Sequence, residues 1–430
     1  MALINTLVRF GWKVLSRQKK LSYVASSLYS SIAYFLALPS FCFFMLKRRF
    51  AAKKRAGAPG VNMVGYFTME SGIGESARSL VSIVQKTTVP FSLKNLEDPL
   101  IASNDRRYSD LLQKDGRYDI SIFDVNANRI PAVIKTLPAN WMNGSYNIAY
   151  WVWELEAFPK QWLPSFACFD EIWSPSAFCT GAFQRKTSLP VMTMPYAINI
   201  DNINALRSRT DFGLSPGGFV FLFVFSLQSA FERKNPLAVI SAFKKAFRDV
   251  SRDKVCLALK ISGAAQHRWA YDEINKASAG LPVTIIDAHL DAATLYRLMD
   301  LSDCYVSLHR SEGFGLTIAE SMFLGKPCIA TGYSGNMEFM NADNSYPVKY
   351  SLSKIARSIG PYKKGNLWAE PDIEHAAELM RFVYEQRDEA AQKGSSGARH
   401  MREKFSPQAL SQVFERRLQA IRNGPSRNKP

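Results

Sequence analysis

Patterns that would tie this 430-residue chain to a metal or to disulfides are missing. Its six cysteines stand far apart, at 42, 168, 179, 256, 304 and 328, and none forms a Cys-x-x-Cys pair. A scattered set in a long chain reads as reduced, buried thiols of a cytosolic protein, not a disulfide framework. There are only five histidines, and His267 and His289 have no ligand spacing with those cysteines, so no metal site is expected. Zinc-finger spacing, RNA-binding signatures and heptad zippers are also absent, which removes nucleic acid from the expected partners. No internal repeat or low-complexity tract interrupts the chain.

What the sequence has in excess is positive charge. It carries 54 Lys and Arg against 37 Asp and Glu, a net charge of +17. That balance favours anionic partners such as phosphorylated ligands or an anionic membrane surface. Hydrophobic residues make up 47%, enough for a folded core, and the length implies two domains.

Residues 21–46 contain no charged side chain and are rich in Tyr and Phe. Arg17, Lys19 and Lys20 precede them, and Lys47, Arg48, Arg49, Lys53, Lys54 and Arg55 follow. A stretch of roughly 20 apolar residues can span a bilayer and exceeds a signal-peptide core. Six serines and Pro39 dilute it, however, and basic residues flank both ends. Such flanks suit a helix lying in a cytoplasmic leaflet as well as a single span. A buried hydrophobic helix of the globular fold is the plainer alternative. The expected location is the cytoplasmic face of a membrane.

After a basic linker the pattern becomes periodic. Strand-like runs at 61–67, 118–124, 146–152, 171–173 and 191–194 alternate with helical stretches at 75–85, 106–114 and 128–137. A loop-like stretch over 199–218 separates them from a second series. There, 219–225, 255–261, 283–286, 304–308 and 327–330 read as strands, and 236–247, 292–299 and 316–324 as helices. The charged tail is helical over 374–391 and 408–422. Alternation of this kind predicts an α/β protein with two doubly wound parallel sheets. The expected divisions are 1–60 as a membrane-associating segment, 61–205 and 206–400 as two Rossmann-like domains, and 401–430 as a helix crossing back to the first. Ligands of such sheets sit at the carboxyl ends of strands, and a cleft between the domains is expected to hold them.

The segment Glu312-Gly-Phe-Gly-Leu-Thr-Ile-Ala-Glu320 follows one of these strands and opens a helix. Its glycines let the backbone approach a ligand, and the free N–H groups of a helix start favour phosphate. Its two carboxylates suit sugar hydroxyls. By itself the pattern is equally compatible with a strand–turn–helix carrying two solvated glutamates. A second glycine loop, Gly72-Ile-Gly74, precedes the helix at 75–85 and can cradle phosphate in the same way. It also matches a dinucleotide fingerprint, but Lys94 and Asn95 stand where an acidic residue is needed, which argues against an NAD-dependent oxidoreductase. A third cluster, Tyr150-Trp-Val-Trp153-Glu154, combines aromatic faces with carboxylates; Trp153 and Glu154 are candidate acceptor-site residues, or else aromatic core and a solvated acid. Lys260 ends a strand and is a candidate contact to a diphosphate or sugar. His309 reads as structural.

The run from Glu312 to Glu320, continued by Ser321-Met-Phe-Leu-Gly-Lys-Pro-Cys-Ile-Ala330, resembles the E-x7-E segment of retaining GT-B glycosyltransferases of family 4. Phe231-Glu-Arg-Lys-Asn-Pro236, residues 331–340 and residues 368–380 resemble the same family, and the likeness extends more weakly to 146–195. The resemblance implies that Glu312 contacts a donor sugar and that Glu320 holds the nucleotide ribose. It also implies that Lys234, with Arg233, stabilises the leaving diphosphate. Gly313, Phe314, Gly315 and Leu316 would line the donor loop, Leu290 would lie near the base, and the Gly72/Gly74 loop would face the donor. The implied partners are a nucleotide-sugar and a lipid-linked or polysaccharide-type acceptor, with a hexose-type sugar transferred with retention, no metal and no further cofactor. No Asp-x-Asp occurs in the chain, so the metal-dependent glycosyltransferase fold has no support. One departure stands out: Gln228 occupies a position where many relatives carry a second arginine. It leaves room for a non-catalytic scaffold of the same fold.

Overall fold

The computed structural model describes residues 57–98, 103–113 and 115–424. The apolar stretch at 21–46, expected to associate with a membrane, lies outside them. Among the described residues no helix is long and apolar enough to cross a membrane.

The chain divides into two compact units. One comprises residues 57–199 together with 404–424. Its six strands are β1 (Ala58–Gly65), β2 (Phe91–Asn95), β3 (Tyr118–Phe123), β4 (Tyr146–Tyr150), β5 (Glu171–Ser174) and β6 (Val191–Thr193). They form a parallel sheet in the order β2-β1-β3-β4-β5-β6. Helices α1 (Gly72–Val84), α2 (Ile130–Thr136) and α3 (Ala177–Gln184) connect these strands.

The second unit is Ile200–Glu403. Strands β7 (Phe219–Ser226), β8 (Val255–Ser262), β9 (Val283–Asp287), β10 (Cys304–Ser307), β11 (Cys328–Thr331) and β12 (Tyr346–Val348) are parallel in the order β12-β11-β10-β7-β8-β9. Its helices are α4 (Phe231–Lys234), α5 (Pro236–Phe247), α6 (Arg268–Ser278), α7 (Ala292–Leu301), α8 (Leu316–Phe323), α9 (Ile373–Glu385) and α10 (Arg387–Phe405). A hairpin of β13 (Tyr350–Lys354) and β14 (Leu367–Pro371) follows β12. Seven of the eight residues of β7, all but Ser226, are buried, because β7 lies between β10 and β8 with both faces covered.

The final helix, α11 (Pro407–Asn423), belongs to the first unit. It packs on α1 and is clamped at the amino ends of the strands. Arg417 Nε donates to Glu171 Oε1 at 2.8 Å, and Glu171, fully buried, also accepts from Tyr146 Oη at 3.0 Å and Trp173 Nε1 at 2.7 Å. Arg422 bonds the Asp119 carboxylate and the Gly60 carbonyl.

Several local expectations need correction. Within 106–114 only a 3-10 turn at Ser109–Leu111 forms. The helix expected over 374–391 breaks at Gln386, where φ −105° and ψ 55° leave the helical region, and a new helix starts at Arg387. Strand β2, helices α3 and α6 and the β13–β14 hairpin are additions to the sequence reading. Five of the six cysteines lie in described segments, and all five are buried and free.

Candidate active site

In both sheets the strand order reverses next to the first strand of the unit. The reversal falls between β1 and β3 in one and between β7 and β10 in the other. A crevice opens at the carboxyl ends of such a pair, because the connections leave in opposite directions.

The β7/β10 reversal gathers the charged residues. After β7 the chain makes the short helix α4, and Asn235 reverses it in the left-handed region at φ 55°. Asn235 Nδ2 anchors this turn on the Leu308 carbonyl at 3.0 Å, just beyond β10. Arg310 N donates to the Arg233 carbonyl at 2.8 Å, and Arg233 Nη1 donates to the Ser311 carbonyl at 2.8 Å. The two post-strand loops are thereby sewn together, and they bring three charges into contact. Lys234 Nζ lies 2.5 Å from Glu312 Oε1, and Arg233 Nη1 lies 3.1 Å from Glu312 Oε2.

Burial alone would raise the Glu312 carboxyl, but the Lys234 and Arg233 cations outweigh it and hold the group down at about 2. Glu312 is therefore a fixed anion at neutral pH. Beside it, Ser311 Oγ is buried and has no hydrogen-bond partner among the described residues.

The loop from Glu312 to Gly315 is held from behind by residues 334–336. Glu312 N donates to Ser334 Oγ at 2.8 Å, and Gly335 N donates to the Glu312 carbonyl at 2.9 Å. A Cβ on Gly335 would stand 2.1 Å from the Gly313 carbonyl oxygen, so only glycine fits. Ser334 itself takes φ 78°, a backbone strain retained because these bonds over-determine the turn. His309 is fully buried between Ser307 Oγ at 3.1 Å and Asn336 Oδ1 at 3.0 Å, which is a structural setting. Gly315, at φ 94°, turns the chain into α8. Leu316 and Thr317 open that helix, whose first-turn N–H groups have no partner within the helix. Phe314 is 2% exposed and packs on Phe339, so its ring is core and only its backbone can face a ligand. Glu320, in the second turn of α8, accepts from Tyr296 Oη at 3.3 Å. Leu290 lies in the loop between β9 and α7.

In the first unit, Gly72 is exposed with open space around it, while Gly74 is packed so tightly that a Cβ would meet the Met69 carbonyl at 2.0 Å. Ser71 Oγ caps α1 by accepting from Gly74 N. Arg78 ties the loop down through the Phe67 and Met69 carbonyls. Lys94 and Asn95 do close β2, and Asn95 bonds Thr68, so no acid occupies the ribose position of a dinucleotide site. Asp124, just after β3, was not singled out in the sequence. It is buried, accepts from Ser76 Oγ at 2.6 Å, and burial pushes it up to about 8. A lone aspartate leaves no sequence signal, and only the β1/β3 reversal puts it beside α1.

Trp153 requires correction. It is 3% exposed, its Nε1 donates to the Ala157 carbonyl, and Phe158 and Trp162 pack against it edge-to-face. It is a core residue with no face for a sugar. Glu154, next along the chain, is half-buried. Among the described residues no group of His, Cys, Asp and Glu side chains could hold a metal ion.

Known structures share this architecture. A glycosyltransferase from Rickettsia africae superposes with a TM-score of 0.63 at 14% identity, covering 86% of this chain and 100% of the other. HepE from Anabaena, solved with UDP-glucose, gives a TM-score of 0.59 at 15% identity, with 84% and 100% covered. The N-terminal domain of a trehalose-6-phosphate phosphatase from Candida albicans gives 0.56 at 12% identity, with 84% and 99% covered. At these identities the likeness is one of fold. Comparison with curated protein sequences gives no match. Residues 221–401 match the sequence model of the family described as Glycosyl transferases group 1. The chain thus has the two-sheet GT-B fold of these structures, and residues 221–401, within its second unit, are similar to the group 1 glycosyltransferase family.

Proposed function

We propose that the protein is a retaining, metal-independent glycosyltransferase that moves a hexose-type sugar from a nucleoside-diphosphate donor to a hydroxyl of a glycan or glycolipid. The observation that carries this reading is the placement of Lys234, Arg233 and the ionised Glu312 at the β7/β10 reversal, next to the N-terminus of α8. Lys234, Arg233 and the α8 N-terminus supply positive potential for a diphosphate. Glu312 accepts hydrogen bonds from sugar hydroxyls, and Glu320 holds the ribose. In the transfer, the bond from the sugar C1 to the diphosphate oxygen breaks and a bond from C1 to the acceptor oxygen forms on the same face. The acceptor proton passes to the departing diphosphate oxygen. Lys234 stabilises the charge that builds on that oxygen, the role a metal plays elsewhere. UDP-glucose in HepE makes a UDP-sugar the first donor to test.

The acceptor follows from charge and location. The basic residues on both sides of 21–46 suit an anionic leaflet, which supports a lipid-linked or polysaccharide-type acceptor at the cytoplasmic face of a membrane. Deletion of residues 1–50 is expected to release the protein from sedimenting vesicles; undiminished sedimentation would rule this placement out.

The donor is tested by thermal stabilisation with UDP-, GDP-, ADP- and dTDP-sugars. A donor at a hundred times its Kd adds about 2.7 kcal/mol. Stabilisation by one of them, lost in Glu312→Ala, is the expected result, and no response to any of them would refute the reading.

A further inference from the structure

We infer that Lys260 is a third diphosphate-binding cation, reaching the nucleotide from the sheet face that α8 packs against. The inference rests on the donor reading above. Lys260 lies two residues before the carboxyl end of β8 and is 7% exposed. Among the described residues no hydrogen bond or ion pair holds its ammonium group. Asp287, whose charge acts on it, stands opposite Ile261 and so leaves the sheet from the other face.

Strand register fixes the face on which Lys260 emerges. Tyr305 of β10 is opposite Leu222 of β7, and its hydroxyl reaches Thr317 Oγ1 on α8 at 2.6 Å. Val224, two residues along β7, shares the face of Leu222 and is opposite Lys260. Lys260 therefore emerges on the face of the sheet that α8 packs against, two strands along from β10; α8 is the helix that begins at the Glu312–Gly315 loop and carries Glu320. Ser226 and Ser262, opposite each other beyond Val224 and Lys260, continue this face to the sheet edge. The face thus ends in two hydroxyls with an ammonium group behind them.

Burial disfavours the charged lysine and lowers its proton affinity, with Asp287 opposing only in part. A cation kept under cover without an anion costs stability that a structural role would not require. A nucleoside diphosphate supplies the missing anion. Arg233 and Lys234 are both engaged by Glu312, so a third cation gives the diphosphate a partner that the carboxylate does not contest.

The test uses the full chain and the first of UDP, GDP, ADP and dTDP found to bind it, with the matching nucleoside as control. Lys260→Met is expected to weaken the diphosphate about tenfold or more, to leave nucleoside affinity unchanged, and to melt at or above the wild-type temperature without ligand. Lys260→Arg is expected to recover part of the diphosphate affinity. An unchanged diphosphate Kd in Lys260→Met would overturn the inference and leave the donor reading standing. A lower melting temperature with parallel losses for diphosphate and nucleoside would show a packing role instead, and also overturn it. A wild-type chain that binds none of the four diphosphates would remove both.

Discussion

Lys234 Nζ and Glu312 Oε1 lie 2.5 Å apart although 78 residues separate them, and Arg233 closes the other carboxylate oxygen. The cation proposed for the leaving group and the anion proposed for the sugar thus contact each other directly. On the proposed reading, a bound diphosphate draws Lys234 toward itself and frees a Glu312 oxygen for a hydroxyl. Lys234→Ala is accordingly expected to lower kcat about a hundredfold and to weaken the nucleoside diphosphate, read by steady-state kinetics and calorimetry. A variant with full kcat would exclude Lys234 from the transfer step.

The same pair has a pH signature. Glu312 titrates at about 2 in the folded chain against 4.5 for an unperturbed glutamate. The folded state prefers the anion, so the stabilisation is complete above pH 4.5 and fades as pH falls toward 2. It amounts to an order of 3 kcal/mol. Chemical denaturation of wild type and Glu312→Gln across this window should show a stability gap that narrows with acid. A gap independent of pH would mean that the charge is not what matters.

Asp124 predicts the opposite slope. Its folded value of about 8 lies above the usual 3.8, because burial leaves it only the Ser76 hydroxyl. The folded chain binds the extra proton, so stability drops as pH rises from 4 to 8. Asp124→Asn keeps the shape and removes the cost of ionisation. Its melting temperature should exceed that of wild type increasingly up to pH 8, and equal profiles at pH 5 and pH 8 would contradict the assignment.

Gly335→Ala tests the support of the donor loop. The added methyl would meet the Gly313 carbonyl at 2.1 Å, and that oxygen belongs to backbone that cannot swing away. A loss of about 1–3 kcal/mol is expected, together with loss of nucleotide binding. Wild-type binding in this variant would show that the loop adapts.

The last prediction concerns the terminal helix. Arg417→Met strands the Glu171 carboxylate, which is fully buried, with only Tyr146 and Trp173 to satisfy it. The expected cost is about 3 kcal/mol, with faster proteolytic loss of α11. Glu171→Gln together with Arg417→Met should recover part of that cost.

How much could be read in advance follows local pattern. Strand β7 was legible because a central parallel strand must be apolar on both faces, and helix α5 because Pro236 opens an apolar repeat that runs to Phe247. Strand β2 escaped notice because it is an edge strand with Lys94 and Asn95 at its end, and α6 because it buries only Trp269, Ala270 and Ile274. Sequence leaves Trp153 open between an acceptor site and the core, because an aromatic next to a carboxylate looks the same whether it faces a sugar or Phe158 and Trp162.

The sequence by itself determined the alternation of strands and helices and the glycine turn that carries Glu312 and Glu320 into a helix start. These depend on residues close along the chain, where periodicity and backbone freedom act. Tertiary structure decided that Arg233 and Lys234 close on Glu312, that Asp124 is buried beside α1, and that Lys260 emerges on the sheet face that α8 packs against, with no bonded anion among the described residues. Strand order and register fix those relationships, and they join residues far apart in a chain that carries no local mark of the pairing.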